Sequence, residues 1–324
     1  MKFILTRFGG FLAGLCLLAV IASSQAKSQQ KITIVDYVRG VLSVGDFASA
    51  EKGLNQYRAA AGATPEYIEA LSWIGRIQLA RHDAAAAERN SAEVRKLCLA
   101  ELTHRKLDAE PHLPTALGAS IEVEAQALAA QNRRDEAVLL LDDELKKWQG
   151  TSIRDRVQKN LNLLTLEGKP VPVLDISQGI GGRKPLPLSA HKGHPVLLFL
   201  WAHWCSDCKN EVAIVQKLMA NYGPRGLVVV APTQHYGYIA GGQDAPRDVE
   251  TKYIGEVFAK YYAGLGSVEI PLSEANFARF GVSTTPTMVL VDGQGIVRLY
   301  NPGNASYAVL ATKIEAALRP AAHV

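Results

Sequence analysis

From Lys31 to about Leu166 the chain is rich in Ala, Leu, Glu, Arg and Gln, and its apolar residues recur at helical spacing. The pattern predicts an all-helical region. At Glu167 it changes: EGKPVPVLDISQGIGGRKPLPLS is punctuated by Gly and Pro and reads as a linker into a second domain. Apolar runs and helical periods then alternate. VLLFLW predicts a strand, a helix opens at the cysteines and runs to about Tyr222, and GLVVVAP predicts a second strand. A helix over about Val249 to Leu265 follows, then strands PTMVLVD and GIVRLYN joined by Asp292-Gly293-Gln294-Gly295, and a last helix over Tyr307 to Leu318. Near-continuously apolar strands interleaved with helices predict an α/β layer with a buried central sheet. A length of 324 residues suits two such domains, expected over 27–166 and 167–324.

Three stretches of the helical region are alike: VGDFASAEKGL, RHDAAAAERNS and QNRRDEAVLLL. Each is a polar turn carrying Asp, then a helix that opens with an alanine, and Ala50, Ala87 and Ala137 occupy the same place in each. The recurrence resembles the tetratricopeptide repeat, in which a small residue lets two antiparallel helices close up. The alanines stand 37 and then 50 residues apart, against about 34 in that family, and Trp73 and Gly75 match its first helix only in the middle unit. A tetratricopeptide-like array and a plain helical bundle both fit.

The N-terminus has Lys2 and Arg7, an apolar core from about Phe11 to Ile21, and small residues ending at Ala26. That is the plan of a secretory signal peptide over 1–26, and it predicts export to the periplasm or another extracytoplasmic space. An uncleaved anchor is the alternative, although the apolar core is short for a membrane span. Removing Lys2 and Arg7 takes the formal charge from +4 to +2, so charge implies no nucleic-acid partner. Of four cysteines, Cys16 falls within the leader and Cys98, Cys205 and Cys208 remain. An exported chain stapled by disulfides carries more, so these thiols are not there mainly for stability.

WAHWCSDCKNE places Cys205 just past a buried strand, where a helix begins. Unsatisfied N–H groups and the positive end of the helix dipole stabilise a thiolate there. Cys208, one turn on, is placed to resolve a mixed disulfide by intramolecular attack. A zinc site needs two further ligands, and the chain has no second CxxC or HxxxH. Two inert core cysteines are the other alternative. Downstream, Val282-Ser283-Thr284-Thr285-Pro286-Thr287 leads directly into a strand, where proline removes a ladder donor.

WCxxCK after an apolar strand, then VxxTPT entering a strand and DGxGxV, resembles the thioredoxin fold. It is closest in pattern to exported thiol–disulfide oxidoreductases of the TlpA/ResA type, over about Val171 to Leu318. The resemblance implies that Cys205 and Cys208 form the redox-active disulfide and that Pro286 is cis and packs against it. It implies that the Thr285 backbone binds client peptide as an added strand and that Trp204 makes an apolar contact to substrate, while Trp201 is a packing residue. The buried Asp that thioredoxin carries before its motif is replaced here by Phe199. The CxxCxxE pattern instead offers Glu211 for proton exchange with the Cys208 thiol, against the alternative of a solvated helix glutamate.

Asp207 disfavours a thiolate beside it, which argues for a reductase, though it also suits a helix cap. His203 either stabilises the Cys205 thiolate when protonated or sits as a polar residue at the rim. TQHYGYIAGGQDAPRD departs from the compact fold and is expected to be a variable surface loop, with His235, Tyr236 and Tyr238 as candidate partner contacts. Cys98 reads as a buried small hydrophobe. No cofactor and no metal are expected. The expected partners are protein thiol or disulfide clients, a thiol electron donor, and a protein docked on the helical domain. The competing reading is a helical adaptor whose thioredoxin-like domain serves as a docking module; peroxide reduction fits a tight CxxC pair poorly.

Overall fold

A computed structural model describes residues 32–182 and 184–319; the leader expected over 1–26 lies outside them. The body begins with seven helices: α1 (Ile34–Ser43), α2 (Phe47–Ala61), α3 (Pro65–Ala80), α4 (Ala84–Glu101), α5 (His112–Ala130), α6 (Arg134–Lys147) and α7 (Arg154–Thr165). They pack as sequential pairs α1–α2, α3–α4 and α5–α6, while α1, α3, α5 and α7 also contact one another in turn. The three similar stretches form the turns inside these pairs. Gly45, His82 and Asn132 each take a left-handed conformation five residues before Ala50, Ala87 and Ala137, and all three alanines are fully buried. Asp46 and Asp83 cap α2 and α4 by accepting the Ser49 and Ala86 N–H groups. In the third turn Arg133 holds the cap position, and Asp135 lies inside the first turn of α6.

The stretch after α7 passes beside the sheet without forming a named strand, with Gly168 N–H and Val171 N–H donating to the Val297 and Gly295 carbonyls. The sheet comprises β1 (Val196–Leu200), β2 (Val228–Val230), β3 (Thr287–Val291) and β4 (Val297–Pro302) in the order β2-β1-β3-β4. β1 is parallel to β2 and antiparallel to β3, and β3 is antiparallel to β4. The chain crosses from β1 to β2 through α8 (Ser206–Tyr222), and from β2 to β3 through α9 (Arg247–Tyr261) and α10 (Glu274–Phe280); α11 (Tyr307–Ala317) closes it.

β1 is buried on both faces, and its side chains divide with period two. Leu197 and Phe199 join the core beneath α8, α9 and α11; Val196, Leu198 and Leu200 join a second core with Phe277 and Phe280. Phe199 is therefore ordinary core.

The helical region and the sheet region form one compact unit. α7 lies on α10: Arg154 donates to the Ala278 carbonyl and Asn162 Nδ2 to that of Arg279. Gly281, at φ +61°, lets the two backbones touch, because a β-carbon there would overlap Gln158 and Lys159. Among the described residues no helix is long and apolar enough to cross a membrane.

Candidate active site

β1 delivers the chain to the site, and the residues after it are tied down. Trp201 N–H donates to the Pro232 carbonyl, its indole N–H to that of Ala231 at 3.0 Å, and Thr233 Oγ1 donates back to the Trp201 carbonyl at 2.9 Å. Trp201 is fully buried against Phe258 and Tyr262. The turn thus starts from a rigid base.

Cys205 is the N-cap of α8, and its Sγ accepts the Cys208 N–H at 2.9 Å. The cap is sulfur, not the Asp207 carboxylate, which is exposed in the first helical turn. An N–H aimed at Sγ, together with the helix dipole, stabilises negative charge there once the disulfide opens. Cys205 and Cys208 are joined in a disulfide with a Cα–Cα separation of 5.3 Å, and both are buried.

The segment leading into β3 closes over this pair. Cys205 Sγ lies 3.5 Å from the Thr285 carbonyl oxygen, and the Thr285–Pro286 bond is cis. Two hydrogen bonds brace the loop: Thr287 Oγ1 to the Thr284 carbonyl at 2.7 Å, and Gly303 N–H to the Pro286 carbonyl at 2.8 Å. Thr287 stood within the TPT motif, but nothing in the motif alone marks it as a brace.

Glu211 lies one helical turn after Cys208 and is only 5% exposed. Its carboxylate accepts the Ala305 N–H at 2.9 Å. Burial raises its pKa above the ordinary glutamate value; the Asp207 charge adds to the rise and the Ala305 hydrogen bond opposes it. The solvated-glutamate alternative does not describe this residue.

Trp204 is 49% exposed beside Cys205, and Tyr236 meets it edge-on at 5.5 Å between centroids. The stretch after Pro232 is therefore not a detached surface loop. His235 is buried, and Glu250, fully buried on α9, accepts the Tyr236 and Gly237 N–H groups at 2.5 and 3.0 Å. The sequence offered no signal for this anchor, because Glu250 reads as one polar residue of an exposed helix.

His203 does not lie at the rim of the site. It is buried, ringed edge-on by Tyr236, Tyr238 and Tyr253, with Nε2 3.3 Å from Glu250 Oε1 but out of line for a hydrogen bond. Burial lowers its pKa, against the pull of Glu250, which disfavours the protonated imidazole that a charge on the Cys205 side would need. Cys98 is buried far along α4, its thiol pKa pushed up to about 12 by burial. Among the described residues no group of His, Cys, Asp or Glu is arranged to hold a metal ion.

No family model matches the chain. It is 29% identical over 142 residues to the thiol:disulfide interchange protein DsbE of Yersinia pestis, a match covering 43% of this chain and 65% of that protein. It is 28% identical to the DsbE of Tatumella citrea, over 52% of this chain and 82% of that protein. It is 27% identical to the thiol-disulfide oxidoreductase ResA of Bacillus thuringiensis (strain Al Hakam), over 40% of this chain and 66% of that protein. The chain thus spans just under two thirds of the first of these relatives. Its C-terminal part carries the thioredoxin fold with a CxxC pair, follows an N-terminal helical region, and is similar in sequence to thiol–disulfide oxidoreductases of the DsbE and ResA type.

Proposed function

We propose that the chain is an exported reductase of protein disulfides, with 1–26 as its leader, 27–166 as a helical client- or partner-binding domain and 167–324 as the redox domain. The observation that carries the reading is Cys205 Sγ, held at a helix N-terminus by the Cys208 N–H and in contact with the Thr285 carbonyl.

In the reduced protein the Cys205 thiolate attacks one sulfur of a client disulfide. A mixed disulfide forms and the client's other sulfur leaves as a thiolate. Cys208, giving its proton to Glu211, then attacks Cys205 Sγ, and the client departs with both sulfurs reduced. Two electrons have passed to the client, and a thiol donor must re-reduce the Cys205–Cys208 pair. The Thr285 backbone holds the client segment as an added strand, with Trp204 as an apolar contact. Export is supported by Lys2 and Arg7 ahead of an apolar core ending in small residues. The reductase direction is supported by the negative charge of Asp207 beside the pair.

Turnover of insulin disulfides with dithiothreitol as donor tests this. Cys205→Ser should abolish reduction, and Cys208→Ser should trap a mixed disulfide with the client. Full client binding with no turnover by the unmodified chain would favour the adaptor reading instead.

A further inference from the structure

Glu250 has no part in the chemistry just described, yet it is the most deeply placed carboxylate near it, fully buried at the start of α9. A buried charge adds little stability over a well-packed apolar residue, so its contacts must be read for what they position. Both oxygens are committed to one stretch of backbone, the consecutive N–H groups of Tyr236 and Gly237. Gly237, at φ +84°, turns the chain directly after the two anchored N–H groups, a conformation that favours glycine.

The rest of the loop is folded upon that anchor. Ala245 N–H returns to the Gly237 carbonyl, Ile239 N–H bonds to that of Gln243, and Tyr238 bridges to Asp244. Tyr236 leaves the anchor with its ring wedged between Trp204 and Phe277. His203 fills the space behind, against Glu250. The half-exposed Trp204 beside Cys205 therefore has a fixed aromatic neighbour, and that neighbour is set by Glu250.

We propose that Glu250, backed by His203, is a positioning residue that fixes Tyr236 beside Trp204 as an aromatic wall of the client cleft. The wall selects clients with an apolar or aromatic side chain next to the attacked cystine. This rests on the disulfide-reductase reading and adds the client preference to it. Trp204, half exposed and held by the partly buried Tyr236, presents ring surface that an extended peptide covers with a flat apolar side chain and that a carboxylate gains nothing from covering.

The test compares reduction of two synthetic disulfide peptides, identical except for Phe or Asp after the attacked cysteine, by the full chain. The unmodified protein should favour the Phe peptide about tenfold in kcat/KM, the scale of one apolar contact. Glu250→Ala and Tyr236→Ala should each erase that preference through a higher KM, with the Cys205–Cys208 potential unmoved. Glu250→Gln, which keeps an acceptor for only one of the two N–H groups, should restore part of it. If Glu250→Ala fails to fold, Tyr236→Ala decides. A preference that survives Tyr236→Ala, or a Glu250→Ala loss that falls on kcat with a shifted potential, overturns the proposal. An unmodified chain that reduces both peptides equally overturns the proposal alone; one that reduces neither overturns the reductase reading with it.

Discussion

The Glu211 carboxylate takes the Ala305 N–H at 2.9 Å, a bond that spans 94 residues and ties α8 to the segment before α11. Among the described residues it is the one hydrogen bond to a carboxylate buried on the inner face of α8, and the raised pKa follows from that burial.

A carboxyl whose folded pKa lies above its unfolded value binds its proton more tightly when folded. Its contribution is full below the unfolded value of about 4.5 and is lost as pH rises through the folded pKa. Urea midpoints of the oxidised protein from about pH 4 to about pH 8 should fall with pH relative to Glu211→Gln. In turnover Glu211→Gln should lose roughly a hundredfold at the step in which Cys208 attacks, seen as an accumulating mixed disulfide.

The two tryptophans around the turn should separate cleanly. Trp201→Ala empties a fully buried site and should cost about 3–5 kcal/mol in denaturant unfolding. Trp204→Ala removes a ring that is 49% exposed and should change stability by about 0.5 kcal/mol or less. Its effect should fall on client KM.

Cys98 should stay silent. With its thiol pKa pushed up to about 12, it has almost no thiolate near neutral pH. After reduction, iodoacetamide should modify Cys205 in the native protein, and Cys98 only once the chain is unfolded. Peptide mapping of the two reactions checks this.

Gly281→Ala should destabilise by more than the usual cost of a side chain at positive φ, about 1 kcal/mol, because its β-carbon meets the backbone of α7. Gly181→Ala, also at positive φ but with open space around it, isolates the backbone term. A Gly281 variant no worse than the Gly181 variant would mean that α7 does not bear closely on the segment leading to Pro286.

What the chain disclosed by inspection was local. Cys205, Cys208 and Pro286 sit in short motifs at strand ends, and the β1 and β3 runs are apolar enough to show a buried sheet. The alanines at 50, 87 and 137 were visible as a recurrence, and their burial accounts for it. What stayed hidden depends on distant partners. Glu250 acquires its role from a loop 13 residues earlier, His203 from three tyrosines, and Glu211 from the Ala305 amide. The seven-residue α10 is too short for a helical period to emerge, yet it carries the contact with α7.

The central claim is that Cys205 and Cys208 are a working redox couple poised for reduction. Equilibrating the protein against dithiothreitol or glutathione and counting free thiols measures it. The account predicts a two-electron transition near the thioredoxin value of about −270 mV. A potential near about −120 mV would contradict the reductase assignment, and the absence of any two-electron transition would contradict the redox reading altogether.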